Sequence, residues 1–138
     1  MAANTAPIYS RLADFQFVVA ALAANTTKDL TSGTIYLVFT ADATNGGYAD
    51  KIIFQPDGTN VATVARVWIN NGASTGTAAN NFMLFDVTLP ATTVSEVAAI
   101  GQTVQALGLM LPAGYKIYVT LGTAVAAGFH VGVAAGKY

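Results

Sequence analysis

The sequence predicts an all-β protein: a single-domain antiparallel sandwich of about eight strands, most simply a jelly roll. Three observations predict it. Breaks rich in Gly and Asn recur roughly every dozen residues, as all-β sandwiches and barrels require. The segments between them are short and rich in Val, Ile, Phe and Tyr, the residues that pack well on a pleated surface. Within several segments apolar residues alternate with a period of two, which turns one face inward.

The elements follow in order. Met1–Asp14, MAANTAPIYSRLAD, reads as an N-terminal arm ahead of a sandwich domain spanning 15–138. The first strand is expected at Phe15–Ala21. The overlapping run FVVAALAAN ends in an Ala-x-Ala pattern, but Asp14 and Gln16 interrupt its approach and Arg11 is the one base upstream. A secretory leader needs a basic start and a cleaner apolar run, so a strand is the better reading. Thr34–Thr40 and Tyr48–Gln55 follow, with Asn45-Gly46-Gly47 placed as the hairpin turn between them. Asp42, Thr44, Asn45 and Asp50 are oxygen donors that Ca²⁺ accepts, but their spacing matches no calcium loop, and the turn reading prevails.

Asp57-Gly58 marks a turn before Val61–Asn70, where Ala65, Val67 and Ile69 oppose Val64, Arg66 and Trp68. In Phe82–Leu89, Met83, Phe85, Val87 and Leu89 point one way, with Asp86 and Thr88 opposite. Thr103–Leu109 comes next. Pro112-Ala113-Gly114 then bends the chain into Tyr115–Leu121, whose Tyr115, Ile117, Val119 and Leu121 share a face against Lys116, Tyr118 and Thr120. Phe129–Ala134 closes the set. Asn70–Asn81 and Pro90–Gln102 are longer connections and read as crossings, with Ala91–Ile100 either one helical turn or a plain crossing loop. Hairpins joined by two crossings favour a jelly roll over a meander, with an immunoglobulin-like sandwich as the alternative.

Catalytic chemistry has little to work with. The chain has no cysteine, which removes thiolate metal sites and thiol nucleophiles. His130 is the one histidine, too few for a histidine metal cluster. No serine lies in a nucleophile elbow, and GTAVAAG lacks the lysine of a phosphate loop. The seven acids are scattered singly. The expectation is therefore no enzyme, with no catalytic, cofactor-binding or metal-binding residues and no cofactor. Six Lys and Arg against seven Asp and Glu, none of the bases clustered, argue against nucleic acid. No apolar run reaches the ~20 residues of a membrane helix, and the strands are too short for a membrane barrel, so no membrane partner is expected. Charged residues make up 9% of the chain against roughly 25% in ordinary soluble domains. So uncharged a surface is best explained if other chains cover much of it.

One binding alternative uses Trp68 as a sugar-stacking platform with Tyr36, Tyr48 and Tyr118, where Asn70 and Asn71 would hydrogen-bond hydroxyls. That reading makes the chain a carbohydrate- or receptor-binding module, for example of a phage tail.

Two segments carry a different likeness: FTADATNGGYADKIIFQPDGTNVATVARVWINN (Phe39–Asn71) and LPAGYKIYVTLGTAVAAGFH (Leu111–His130). With the Ala/Thr/Gly/Asn-rich, charge-poor composition and the N-terminal arm, they resemble the decoration, or cement, proteins of tailed-bacteriophage heads. The resemblance implies a jelly-roll-like structural protein of the virion. It would be made in the host cytoplasm and assembled, often as a homotrimer, on the outer capsid surface, where it ties major capsid protein subunits together. It implies no catalytic residues. By position in the chain, the expected subunit or capsid contacts are Ile8, Tyr9 and Arg11 of the arm, with Asn70, Asn71, Asn80 and Asn81 of the long loop.

Overall fold

A computed structural model describes residues 12–138. The strands are β1 (Leu12–Ala21), β2 (Tyr36–Thr40), β3 (Gly47–Pro56), β4 (Thr63–Asn70), β5 (Asn81–Leu89), β6 (Thr103–Leu111), β7 (Lys116–Leu121) and β8 (Phe129–Lys137), with one 3-10 turn at Ala78–Asn80. All eight predicted strands are present. The first starts at Leu12 rather than Phe15, so Leu12–Asp14 belong to the sandwich and not to the arm.

Two four-stranded antiparallel sheets form, in the orders β1-β8-β3-β6 and β2-β7-β4-β5. The first strand pairs with the last, the second with the seventh, the third with the sixth and the fourth with the fifth. That is one long hairpin, turning between β4 and β5, rolled over on itself: a jelly roll. The immunoglobulin-like alternative is thereby set aside.

The rolled topology corrects two local readings. Asn70–Asn81 is not a crossing: it joins β4 to its own hairpin partner β5. Asn45-Gly46-Gly47 is not a hairpin turn, because β2 and β3 lie in different sheets and the turn is the corner between them. Gly46 holds φ at +74°, and a Cβ there would run into the Leu111 carbonyl oxygen of the neighbouring corner. A corner and a hairpin both need positive φ, so turn residues alone do not tell them apart. Ala91–Ile100 is a crossing loop from β5 to β6 and contains no helical turn.

The core lies between the sheets. Ile52, Phe54, Phe129, Val131 and Val133 from one sheet meet Phe39, Val67, Leu89, Ile117, Val119 and Leu121 from the other, all essentially inaccessible to water. Burying each such side chain stabilises the fold by about 1.5–3 kcal/mol relative to exposure. The predicted inward set of β5 is altered by a bulge. The register shifts between Val67/Trp68, so Leu84 joins Phe85 at the main core and Met83 turns to the outside of the sheet. One unpaired residue is enough to flip everything beyond it.

At one edge of the sandwich the sheets are tied by an amide. Gln16 Nε2 donates to the Thr40 carbonyl at 2.8 Å, and Thr40 N–H donates back to Gln16 Oε1 at 2.8 Å. The side chain thus satisfies β2 as a further strand would.

Candidate functional site

The long loop, two corners and the start of β1 converge on one end of the sandwich. Leu12 lies in a register row with Lys137, Gly47 and Leu111, and the corners at 41–46 and 112–115 join those strands to Thr40 and Lys116 of the other sheet. The corners are locked together: Asp42 O accepts from Gly46 N–H and Gly114 N–H, and Ala41 N–H donates to Tyr115 O. Asp42 Oδ1 also accepts from Thr44 N–H at 3.0 Å and Asn45 N–H at 2.8 Å. The Asn45 amide, then that of Thr44, holds this carboxyl below the ordinary aspartate value. The oxygen-rich stretch is therefore occupied with its own turn. Among the described residues no group of three or more His, Cys, Asp or Glu is arranged to hold a metal ion.

The four asparagines form a ladder that builds the β4–β5 loop. Asn70 Nδ2 donates to Asn81 Oδ1 at 2.8 Å, Asn71 Nδ2 donates to Asn80 Oδ1 at 3.2 Å, and Asn70 Oδ1 accepts from Gly72 N–H. Asn81 Nδ2 donates in addition to Thr75 O and to Asp29 O, fastening the loop to the β1–β2 connection. Asn70 is fully buried, which removes it as a surface contact, and Asn81 is spent on loop carbonyls. Asn71 and Asn80 remain at the rim of a shallow groove of about 310 Å³ that also involves Ile69, Phe82 and Tyr115. Ile8, Tyr9 and Arg11 lie outside the described residues; the strand they lead into begins at this same end.

The outer faces of the two sheets differ. On β2-β7-β4-β5, the connection at 22–35 covers the part of the outer face around Trp68 and Tyr118, leaving Leu37 44% exposed. Leu30 and Ile35 pack on Trp68, Tyr118 and Met83. Trp68 is 2% exposed and its Nε1 donates to Thr120 Oγ1 at 3.2 Å. The predicted sugar platform is not assembled: Trp68 and Tyr118 are buried with no indole face free to stack on a sugar ring, Tyr36 packs against the main core, and Tyr48 lies on β3 of the other sheet. Burial likewise pushes the Tyr118 phenol pKa up.

The covering segment is held by polar contacts. Asn25 Nδ2 donates to Ser32 O and Thr34 O, and Asn25 Oδ1 accepts from Thr27 N–H and the Thr27 hydroxyl. The Tyr36 hydroxyl accepts from Leu22 N–H and Ala23 N–H. Thr31 donates to Asp29 first through its backbone N–H, then through its hydroxyl, and lowers that carboxyl's pKa.

On β1-β8-β3-β6 no described segment covers the outer face. Phe17, Gly132, Ile53 and Val104 line up across all four strands, as do Phe15, Ala134, Lys51 and Ala106. Phe15 is 56% exposed, Phe17 63% and Met110 72%. Phe15 and Phe17 form a tilted aromatic pair on β1, with ring centroids 6.1 Å apart. Beside this ridge the glycine and alanine side of β8 forms a valley, and Phe15 leans so closely over Gly132 that a Cβ there would lie 2.7 Å from its ring. His130, whose Nε2 lies 3.0 Å from Asp57 Oδ1, stands at one end of the resulting groove. Sequence reasoning passed over this face, although Phe15 and Phe17 at spacing two on a terminal strand were its visible signal.

No protein-family model matches the chain, and no curated protein matches it. Among solved structures the chain is similar to one in "Structure of infectious bursal disease virus Gx strain", at 11% sequence identity and a TM-score of 0.29. The alignment covers 91% of this chain and 32% of that one, so this chain spans about a third of its length. A likeness of that degree carries no functional argument.

Proposed function

We propose that the chain is a structural virion protein that decorates a bacteriophage capsid and cements it by bridging major capsid protein subunits on the outer surface. The observation that carries this reading is the apolar sheet face that no described residue covers, on a jelly roll with very few charges. An exposed apolar face of this kind is the sort of surface on which another protein packs. The end bearing the asparagine loop, the corners and the start of β1 supplies a second contact region, which leaves one region for each of two partners. The residues of both regions offer shape, apolar area and amide hydrogen bonds.

Cementing needs nothing more. A protein that binds the mature lattice and not its separated subunits stabilises the lattice by mass action, and a bridge across two subunits gains effective concentration for its second contact. Expansion of the shell must then break contacts that undecorated heads lack.

The test is to incubate the full-length protein with mature heads of its cognate tailed phage stripped of decoration, then pellet and heat them. Saturable co-sedimentation and a higher temperature of DNA release are expected. Heads that neither bind the protein nor gain heat resistance would falsify the reading.

A further inference from the structure

We infer that the outer face of β1-β8-β3-β6 is where copies of this chain meet, through the ridge of Phe15 and Phe17, the row of Ile53 and Val104, and Met110. This gives the self-contact expected of a decoration protein a definite surface, yet it stands on the face itself and is tested without heads.

Three observations point to a second copy as the occupant. First, an aromatic ridge and a groove lie side by side on one face, a relief into which a second copy of the chain can pack. Second, four strands at ~4.8 Å spacing and about nine residues at ~3.3 Å present roughly 550 Å² in projection, the scale of the ~800 Å² of accessible surface that each partner of a stable complex buries. Third, the chain carries a net charge of −1, and the two rows that hold Phe15 and Phe17 contain a single charged side chain, Lys51, with Asp50 of opposite sign beside it in the β3 bulge, so little net charge opposes the approach of a second copy. On the opposite outer face the large aromatic groups, Trp68 and Tyr118, are already covered by the 22–35 segment.

Sedimentation equilibrium of the full-length protein over micromolar concentrations reads this directly. The wild type should self-associate. Phe17→Asp and Val104→Asp, both at exposed positions, should each raise the dissociation constant at least about tenfold with native circular dichroism retained. Thr88→Asp, exposed on the other sheet, should leave association unchanged and serves as the control. A wild type that is monomeric throughout, or an oligomer indifferent to both face variants, overturns the inference. An oligomer that dissociates only when residues 1–11 are deleted does so too, since the arm would then be the contact. A monomer that still binds heads sinks only the self-contact, whereas a face-dependent oligomer that ignores heads sinks only the virion reading.

Discussion

The two sheets of this jelly roll have comparable inner faces and opposite outer ones. On β2-β7-β4-β5 the aromatic part of the outer face is folded under the chain's own 22–35 segment, with Leu30 and Trp68 nearly inaccessible at 1% and 2%. On β1-β8-β3-β6 equally large apolar side chains stand in the open. An outer-face aromatic is thus structural on one sheet and available for contact on the other. What separates the cases is a single fourteen-residue connection, the one running from 22 to 35. Apolar area that the chain covers itself contributes to folding, and area it leaves bare is left for association.

The largest effect expected from this contrast is at Trp68. Trp68→Ala removes the centre of the covered cluster and the bond to Thr120, and should cost about 3–5 kcal/mol in chemical denaturation. Phe17→Ala, an equally drastic truncation on the bare face, should change monomer stability by less than about 1 kcal/mol. If the two costs come out alike, the distinction between the faces fails.

Leu30 sharpens the comparison. It is buried under strain, with φ at +63°, a region that costs a residue bearing Cβ about 1–2 kcal/mol. Leu30→Ala should destabilise by about 2–4 kcal/mol. Leu30→Gly, although smaller still, should cost less than Leu30→Ala because the glycine releases the backbone. The reverse order in urea midpoints would mean that the segment is not held as described.

A pH titration separates the ties of the covering segment from those of the corner. Asp29 and Asp42 both have folded pKa values below their ordinary ones, so the stability they add is present above the unfolded aspartate pKa. It is lost as pH falls below the ordinary aspartate range and through the lowered folded values. Asp29→Asn and Asp42→Asn should each flatten the acid limb of the denaturation midpoint and leave the neutral region nearly unchanged. The smallest effect belongs to Asp86, whose carboxylate is 3.8 Å from Arg66 Nε and half exposed. Asp86→Asn should shift stability by no more than about 1 kcal/mol, an effect reduced further by added salt.

Much of the architecture could be read from residue order. Breaks, short apolar runs and, in several segments, alternation located the eight strands; the jelly-roll expectation rests on two crossings, of which only Pro90–Gln102 is one. The misreadings came where one local pattern serves two global arrangements. Asn45-Gly46-Gly47 meets the backbone demands of a corner as well as those of a hairpin. Met83 and Phe85 look equivalent until the bulge opposite Val67/Trp68 separates them. Asn70 and Asn81 look like polar surface, yet they bond to each other because β4 and β5 bring them opposite one another. Trp68 lies on the outward parity of β4, as its neighbours indicate, and is buried all the same.

What the sequence by itself determined is what local sterics and pleat periodicity control: the strands, the breaks between them, most inward-facing residues, and a surface short of charge. Tertiary structure alone decided which turns became corners, which amides were consumed within the fold, and which outer face was covered. Those outcomes depend on pairings between residues far apart in the chain, such as Asp29 with Asn81 and Leu30 with Trp68. Periodicity is a property of neighbours along the chain, whereas covering a face is a property of neighbours in space.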